Sequence, residues 1–308
     1  MRSTRSLAAI AVLASSLAAG LVSTASASPA PTRRAVATAQ AKRAAVTGDK
    51  AACAKVEAAY PSYVGKTYTV GNSPTIPGYE TISKSNPNKI VGFDPSFLAA
   101  VNSCLGVKTT FSQMAFDALI PALQAGRVDL VISNLIASRA RAKQVRFDLY
   151  QKDVEALIVA KGNPKSITST ADLCGNSIAV FPGTLQQGFA EAQAATCKSE
   201  GKGTVNVETY QDFNGCVQAV ITGRADTTID PVSVADAAVA QFPGKLSVTK
   251  PIPQFQSNIG IAFPLASTGL AKAYLAAIAA VQNAGIEKRL LAKWNQDPNT
   301  QAVATALP

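Results

Sequence analysis

Strand-like and helix-like segments alternate along most of this chain, and they do so in two successive blocks. Short apolar runs have the length of buried strands, and apolar residues at helical spacing separate them. The predicted strands are Lys66–Gly71, Val107–Phe111 and Val128–Ser133 in the first block, and Ser177–Phe181, Thr204–Glu208 and Asp226–Ile229 in the second. Because strands that alternate with helices pair mainly in parallel, each block predicts an α/β unit with flanking helices.

Two apolar segments connect the blocks. Val154–Ala160 leads from the first block to the second, and Ile259–Phe263 leads back. The segment Leu270–Trp294 has the pattern of two helices split near Gly285. A chain that leaves one unit, builds another and returns has two lobes, two hinge crossings and a cleft, where α/β sheets hold ligands.

The lobe boundaries follow from these crossings. We place the first part of lobe 1 at 51–157, lobe 2 at 158–255, and the return to lobe 1 with the C-terminal helices at 256–308.

The N-terminus has the pattern of an export signal. Arg2 and Arg5 precede an apolar stretch from Leu7 to Leu21, and Ala25-Ser26-Ala27 matches the small-x-small pattern of a cleavage site. This stretch is shorter than the roughly 20 residues that span a bilayer. We therefore expect a signal peptide at 1–27 and a protein that is not embedded in a membrane after cleavage.

The expected mature chain begins with a basic leader at 28–50 that lacks sustained periodicity. Cys53 is the first cysteine and lies far from the cleavage site, so the sequence shows no lipid-anchor cysteine. We expect an exported protein, periplasmic or extracellular.

The cysteines fit an oxidising compartment and form no CxxC metal pattern. Five of them predict two disulfides and one free thiol. The spacing does not determine the pairing. Our expectation is Cys53 with Cys104 and Cys174 with Cys197, leaving Cys216 unpaired and buried.

The composition excludes several classes of function. The chain has no histidine, which excludes Ser-His and Cys-His catalysis and His-ligated metal sites, and we expect neither a metal nor a cofactor. The formal net charge is +10, but the first 50 residues carry much of it. Because no Lys/Arg run interleaved with aromatic residues follows, we do not expect nucleic-acid binding.

Motifs between residues 91 and 150 are the most specific feature of the chain. They read VGFDPSFLAAVNSCLGVKTTF, FDALIPALQAGRVDLVIS and RARAKQVRFDLY, and DLCGNSIAVFPGTLQQ and ITGRADTTID follow later. In this order and spacing they resemble the family 3 extracellular solute-binding proteins of ABC importers, of the polar amino-acid type. The resemblance covers nearly all of 66–297.

This resemblance implies a two-lobed periplasmic binding protein-like fold of type II, in which each lobe is a mixed, mainly parallel sheet flanked by helices. It also implies that the protein is not an enzyme. Such a protein captures an amino acid in the interlobe cleft and delivers it to the permease of an ABC transporter. We expect it to act as a monomer.

The family's binding residues are carried over position by position. Arg141 stands at the position where the family has an arginine that pairs with the ligand α-carboxylate. Arginine suits this role because its planar guanidinium binds a carboxylate with two hydrogen bonds. Asp230 is the candidate for the α-ammonium, although its spacing from Gly223 is one residue short and Pro231 occupies the strict position. The other implied contacts are Ser73, Ile76, Tyr79, Phe116, Ser133, Asn134, Ile136, Phe181, Thr184 and Leu185.

Some of these positions depart from the family pattern. Ile136 replaces a residue that often carries a hydroxyl group, and Leu185 replaces a frequent Thr or Gly, so only its backbone is carried over. Ser73 lies where relatives that take cationic amino acids carry an acid. We therefore expect a neutral amino acid as the ligand.

Two other functions fit the same scaffold. An exported dehydratase of the arogenate or prephenate type would need a general acid or base in the cleft. Without histidine, only carboxylates, Lys or Tyr remain, and the sequence assigns no paired carboxylates. An extracellular sensing module would bind a ligand without needing a permease.

Overall fold

The computed structural model of the chain describes residues 50–307. The signal peptide predicted at 1–27 and, apart from Lys50, the leader predicted at 28–50 lie outside the described residues. The helices are α1 (Lys50–Ala59), α2 (Phe93–Leu105), α3 (Leu119–Gln124), α4 (Arg139–Ala142), α5 (Leu185–Ser199), α6 (Phe213–Ile221), α7 (Val232–Gln241), α8 (Thr268–Asn283) and α9 (Ile286–Lys293).

The strands are β1 (Thr67–Asn72), β2 (Thr75–Ile76), β3 (Glu80–Ser83), β4 (Asn86–Val91), β5 (Lys108–Gln113), β6 (Leu130–Val131), β7 (Ile136–Ala137), β8 (Val145–Ala160), β9 (Ser177–Val180), β10 (Asn206–Thr209), β11 (Thr227–Pro231), β12 (Leu246–Val248), β13 (Ile252–Pro264) and β14 (Gln301–Leu307). The six strands predicted from the sequence correspond to β1, β5, β6, β9, β10 and β11.

One large mixed sheet runs through this part of the chain, in the order β10-β9-β11-β8-β13-β6-β1-β5. On one side, β1 pairs in parallel with β5 and β6. On the other side, β9 pairs in parallel with β10 and β11. We call the β1–β5–β6 side with its helices lobe 1, and the β9–β10–β11 side with α5 to α7 lobe 2.

The two long strands in the middle connect the lobes. β8 leads from lobe 1 to lobe 2, β13 leads back, and the two pair antiparallel along most of their length. This arrangement confirms the predicted two-lobed α/β fold with two crossings. The lobe boundaries at 51–157, 158–255 and 256–308 stay predictions, because β8 pairs with β11 of lobe 2, β13 pairs with β6 of lobe 1, and the two long strands pair with each other.

Aromatic side chains fix β8 to the core of lobe 1. The rings of Phe93 and Phe97 on α2 stack with centroids 5.5 Å apart, and the ring of Tyr150 on β8 lies 4.8 Å from that of Phe97. All three side chains are fully buried. In lobe 2 the same strand continues with Leu157 and Ile158, which are also fully buried.

Several elements are absent from the sequence expectations, among them α1, β4 and β14. Helix α1 buries only Val56 and has no clear apolar face. Strand β4 has the sequence NPNKIV, whose first residues rarely form strands, yet it pairs with β3 in a small antiparallel sheet. Strand β14 pairs with the lobe 1 part of β8 as a C-terminal addition.

Two disulfides hold the helices in place. Cys53 on α1 is bonded to Cys104 on α2, and Cys174 is bonded to Cys197 near the end of α5. These are the pairs that we expected, and Cys216 is unpaired and buried on α6. Within residues 50–307, every helix falls short of the length and apolar character that a bilayer-spanning segment needs.

The first disulfide is expected to stabilise the protein substantially. Cys53 and Cys104 are 51 residues apart. A bridge that closes a loop of this length restricts the unfolded chain, and the lost entropy raises the free energy of the unfolded state by about 4 kcal/mol. We predict that Cys53→Ser/Cys104→Ser lowers the free energy of unfolding in urea by about 2–4 kcal/mol. An unchanged urea midpoint in oxidising buffer would contradict this role.

A buried carboxyl group predicts a loss of stability in alkali. Glu287 on α9 is fully buried and accepts a hydrogen bond from Nε2 of Gln282 at 2.8 Å. Burial raises the pKa of this carboxyl from 4.5 to about 8. The folded state therefore holds the proton more tightly than the unfolded chain, and this contribution to stability is lost as the pH rises through about 8.

We therefore predict that the thermal midpoint of the wild-type protein falls more steeply between about pH 5 and about pH 9 than that of Glu287→Gln, which does not titrate. Thermal unfolding followed by circular dichroism at a series of pH values measures both slopes. Equal slopes would show that Glu287 does not titrate with the raised pKa.

Candidate functional site

A small cavity lies where the two lobes meet. Lobe 1 contributes Ile76, Phe116, Asn134, Ile136 and Arg141, and lobe 2 contributes Phe181, Thr184, Gln186, Asp230 and Pro231. The space open to the centre of a water-sized sphere is about 10 Å³, which is room for roughly one water molecule. The walls are therefore nearly in contact.

The lobe 1 wall is built after β6, at the carboxyl end of a parallel strand. Asn134 adopts a left-handed backbone conformation (φ 43), and its N–H donates to the Asp94 carboxylate at 2.6 Å. Helix α4 then begins with Ser138 as its N-cap, whose Oγ accepts from the backbone N–H of Arg141 at 3.2 Å. This turn brings Arg141 against the cavity.

The guanidinium of Arg141 is held by backbone carbonyl groups of both lobes. Its Nη1 donates to the carbonyl of Ile136 at 2.6 Å, and its Nη2 donates to the carbonyl of Gly183 at 2.7 Å. The cation also lies 5.7 Å from the centre of the Phe116 ring. Burial lowers the pKa of Arg141 to about 10, so the group remains charged at neutral pH. A guanidinium has five N–H donors, so two carbonyls leave donors for an anion.

The lobe 2 wall is the turn between β9 and α5. Thr184 is the N-cap of α5, because its Oγ1 accepts from the N–H of Gln187 at 3.1 Å and donates to the carbonyl of Phe181 at 2.8 Å. The first turn of this 15-residue helix faces the cavity, where the helix dipole favours negative charge.

Asp230 is the acidic residue of the site. It lies near the end of β11 and is 4% exposed. Within the described residues its carboxylate accepts no hydrogen bond. Burial, and to a lesser extent the neighbouring Glu155 carboxylate, raise the pKa of Asp230 well above its usual range. A buried carboxylate without a partner is costly unless a cation reaches it.

Glu155 lies behind this wall. Its carboxylate accepts from Nε2 of Gln186 at 3.1 Å and from the hydroxyl of Ser257 on β13. Burial raises the pKa of Glu155 to about 7. Gln186 itself lines the cavity, so its amide connects the cavity wall to the crossing strands.

Eight of the twelve binding residues implied by the resemblance line the cavity. Ser73, Tyr79, Ser133 and Leu185 do not. The Ser133 hydroxyl instead accepts from the N–H of Ser73 at 3.0 Å and donates to the Glu80 carboxylate at 3.1 Å. The Tyr79 hydroxyl lies 2.7 Å from that of Ser233. Leu185 is the first residue of α5, after the cap.

Two lining residues were not expected. Gln186 follows Leu185 in the FPGTLQQ segment, and Pro231 follows Asp230. The motif that identified the turn contains Gln186, but the position of a residue in a motif does not show which way its side chain points. From the sequence, Pro231 is only the residue that occupies the position where the family pattern expects an acid.

A second, open cavity lies beside the first. Its volume is about 300 Å³, and it is lined by Ser73, Pro74, Thr75, Gln113, Met114, Ala115, Gln211 and Asp212. Asp212 is the only carboxylate among these residues. Its Oδ1 accepts from the N–H of Gly215 as the N-cap of α6, at 2.9 Å. Within residues 50–307, no group of three or more His, Cys, Asp or Glu side chains is arranged to hold a metal ion.

The two walls touch at Gly183. Its φ is 77, and a Cβ atom placed there would lie 2.9 Å from Cα of Asp117 in lobe 1. Beside it, the rings of Phe116 and Phe181 meet edge to face with centroids 5.5 Å apart. Only glycine permits this approach, since a Cβ would collide with backbone rather than with a flexible side chain.

Comparison with known proteins shows what the chain is similar to. Residues 68–297 match the family of bacterial extracellular solute-binding proteins, family 3. The ABC transporter arginine-binding protein 1 of Escherichia coli K12 is 30% identical over 227 residues, covering 73% of this chain and 88% of the relative.

Solved structures show the same similarity. Two structures of an ancestral arginine-binding protein, one bound to arginine and one to glutamine, are 30% and 31% identical, with TM-scores of 0.68 and 0.66. Each covers 74% of this chain and 97% of its own. An ancestral amino acid-binding protein, a precursor of cyclohexadienyl dehydratase, is 26% identical with a TM-score of 0.65, covering 74% of this chain and 95% of its own.

The contact at Gly183 leads to a test of wall closure. We predict that Gly183→Ala holds the walls apart and increases the radius of gyration measured by small-angle X-ray scattering. Gly162→Ala is the matched control, because Gly162 has a similar φ of 83 and a Cβ there would meet no atom within 4 Å. Equal radii for the two variants would contradict the close approach.

Proposed function

Since this chain belongs to the bacterial extracellular solute-binding proteins of family 3, we propose that its interlobe cavity binds an amino acid for delivery to the permease of an ABC importer. The observation that supports this most is the pair of buried opposite charges on facing walls. Arg141 comes from lobe 1 and Asp230 from lobe 2, and both line the same cavity. We further propose that the protein is exported and acts as a monomer.

This pair of charges matches an amino-acid zwitterion. The remaining Arg141 donors and the N-terminal turn of α5 suit an α-carboxylate. The unpartnered Asp230 suits an α-ammonium, which would compensate a charge that is otherwise buried alone. Because the two charges lie on different lobes, one ligand contacts both walls and stabilises the closed arrangement.

The narrow cavity implies movement. Room for about one water molecule does not admit an amino acid, so the walls have to separate before the ligand enters. Closure around the ligand then excludes water and strengthens its contacts with Arg141 and Asp230.

We propose a neutral amino acid as the ligand. The lining contains Ile76, Phe116, Ile136, Phe181 and Pro231, which are apolar, and Arg141 and Asp230 are its only charged residues. If both are engaged by the α-groups, a charged ligand side chain has no counter-ion in the cavity. A similar ancestral arginine-binding protein has a structure with the neutral amino acid glutamine bound, besides one with arginine, and the glutamine-bound structure supports this choice.

A basic amino acid is the second candidate, and Asp212 favours it. This carboxylate lines the adjoining 300 Å³ cavity, as Ser73 does. A long cationic side chain that extends into this space would meet it. The similar Escherichia coli protein is named as arginine-binding, which agrees with this candidate.

We propose binding rather than catalysis, although one similar structure is of a dehydratase precursor. A dehydratase needs a general acid or base positioned at the substrate. Arg141 and Asp230 are the ionisable residues of the lining, and the zwitterion would occupy both. Incubation with arogenate or prephenate should therefore yield no product.

Calorimetric titration of the protein with L-glutamine, other neutral amino acids and L-arginine tests the proposal. We predict that Arg141→Met and Asp230→Asn each weaken binding on the order of 100-fold, because each leaves a buried charge of the ligand unpaired. Arg139→Met is the matched control, since Arg139 is exposed on the same short helix.

The variant Asp212→Asn separates the two ligand classes. It leaves the affinity for a neutral ligand unchanged, whereas it weakens the binding of L-arginine if Asp212 holds the guanidinium. Absence of binding by every amino acid, or undiminished binding by Arg141→Met, would contradict the proposed function.

A further inference from the structure

A chain of hydrogen bonds connects the two lobes outside the cavity. The Tyr79 hydroxyl lies 2.7 Å from Oγ of Ser233, and Nε2 of Gln151 donates to the Tyr79 hydroxyl oxygen at 2.6 Å. The Ser233 hydroxyl and its backbone N–H both donate to Oδ2 of Asp153, the second at 3.1 Å. Tyr79 is fully buried and Ser233 is 6% exposed.

The donors and acceptors determine the direction of each hydrogen bond in this series. Because the Ser233 hydroxyl proton points to Asp153, its oxygen accepts from the Tyr79 hydroxyl. The Tyr79 oxygen in turn accepts from Gln151. Burial raises the pKa of the Tyr79 phenol well above its usual value, so it stays protonated and able to donate.

The Tyr79–Ser233 hydrogen bond is the one in this series that joins lobe 1 directly to lobe 2. Tyr79 precedes β3 in lobe 1, where its ring packs edge-on against Phe93 with centroids 5.9 Å apart. Ser233 lies in the first turn of α7 in lobe 2. Gln151 and Asp153 are both on the crossing strand β8. Separation of the lobes therefore breaks Tyr79–Ser233, while the bonds to β8 can persist on each side.

A second interlobe bond supports the same conclusion. Nδ2 of Asn214 on α6 donates to the carbonyl of Thr75 in lobe 1 at 3.0 Å. Both of these interlobe hydrogen bonds lie outside the cavity, because none of their four residues lines it.

We propose that the Tyr79–Ser233 hydrogen bond is a closure latch that sets how long a ligand is retained without touching the ligand. Tyr79 is then a positioning residue rather than a wall of the site. The effect on how long a ligand stays bound rests on the proposed function. The effect on how closely the lobes approach each other applies to the ligand-free protein as well.

The expected change in the dissociation rate is modest, because water replaces the lost hydrogen-bond partners when the lobes open. When the lobes open, both hydroxyls regain hydrogen bonds to water, so the net contribution of one such bond is modest. Loss of the bond should speed ligand dissociation about 3- to 10-fold. A hydrogen bond inside one lobe stabilises the open and closed states equally and leaves dissociation unchanged.

The test compares Tyr79→Phe, which removes the hydroxyl and keeps the buried ring, with a matched control. Tyr274→Phe removes an equally buried hydroxyl, which donates to Oδ1 of Asn102 at 2.9 Å within lobe 1. Two quantities are measured: the dissociation rate of L-glutamine or L-arginine by stopped-flow fluorescence, and the radius of gyration of the free protein by small-angle scattering.

We expect faster dissociation and a larger radius of gyration for Tyr79→Phe, with neither change in Tyr274→Phe. Ser233→Ala should reproduce both changes, and Tyr79→Phe/Ser233→Ala should add little beyond either single variant. If Tyr79→Phe matches Tyr274→Phe in both measurements, the latch is disproved. If the wild-type protein binds neither of these two, dissociation is measured with the amino acid that the calorimetric titration identifies. If it binds no amino acid at all, the proposed function fails, and the scattering comparison alone decides the latch.

Discussion

The antiparallel pairing of β8 with β13 is the constraint on which the rest of the structure depends. These two strands run between the lobes, and their pairing makes the sheet continuous across the junction except at two register shifts. Their register shifts between Ile252 and Gln256 and again between Ile259 and Gly260. Bulges of this kind bend and twist a strand pair. The lobes are therefore joined by one ladder of backbone hydrogen bonds, and any movement of one lobe relative to the other has to bend this strand pair.

The composition of β8 changes along its length in a way that suits this position. Its ends, around Phe147 and Leu157, are apolar and anchored in the cores of the two lobes. Its middle carries Gln151, Asp153 and Glu155, whose side chains bond to partners on neighbouring elements. The middle of the strand is thus held by side-chain hydrogen bonds rather than by apolar packing. Asp153 contributes to the latch, and Glu155 supports the cavity wall near Asp230.

Much of this arrangement could be predicted from sequence. The segment Ser177–Phe181 is a short apolar run, and the turn after it carries a Thr that caps the next helix, so β9 and α5 follow from local patterns. The crossings were predicted shorter than they are, because the polar middle of β8 resembles a loop. Helix α1 was missed because a disulfide and one buried residue, Val56, hold it rather than an apolar face.

Side-chain direction was the least predictable feature of the site. Arg141 follows from the family pattern, Asp230 was chosen although Pro231 occupies the strict position of that pattern, and all three residues line the cavity. The same pattern places Tyr79 near the ligand. Its ring instead packs on Phe93 and its hydroxyl bonds to Ser233, far along the chain. Contacts between residues so distant in sequence depend on the packing of two lobes, which local spacing does not contain.

A crystal structure of the protein grown with L-glutamine, or with L-arginine if that is the tighter ligand, would show the binding site itself. We predict one amino acid between the lobes, with its carboxylate bonded to the Arg141 guanidinium and its ammonium bonded to Asp230. A ligand bound elsewhere, or bound in the cavity without contact to these two residues, would contradict this prediction.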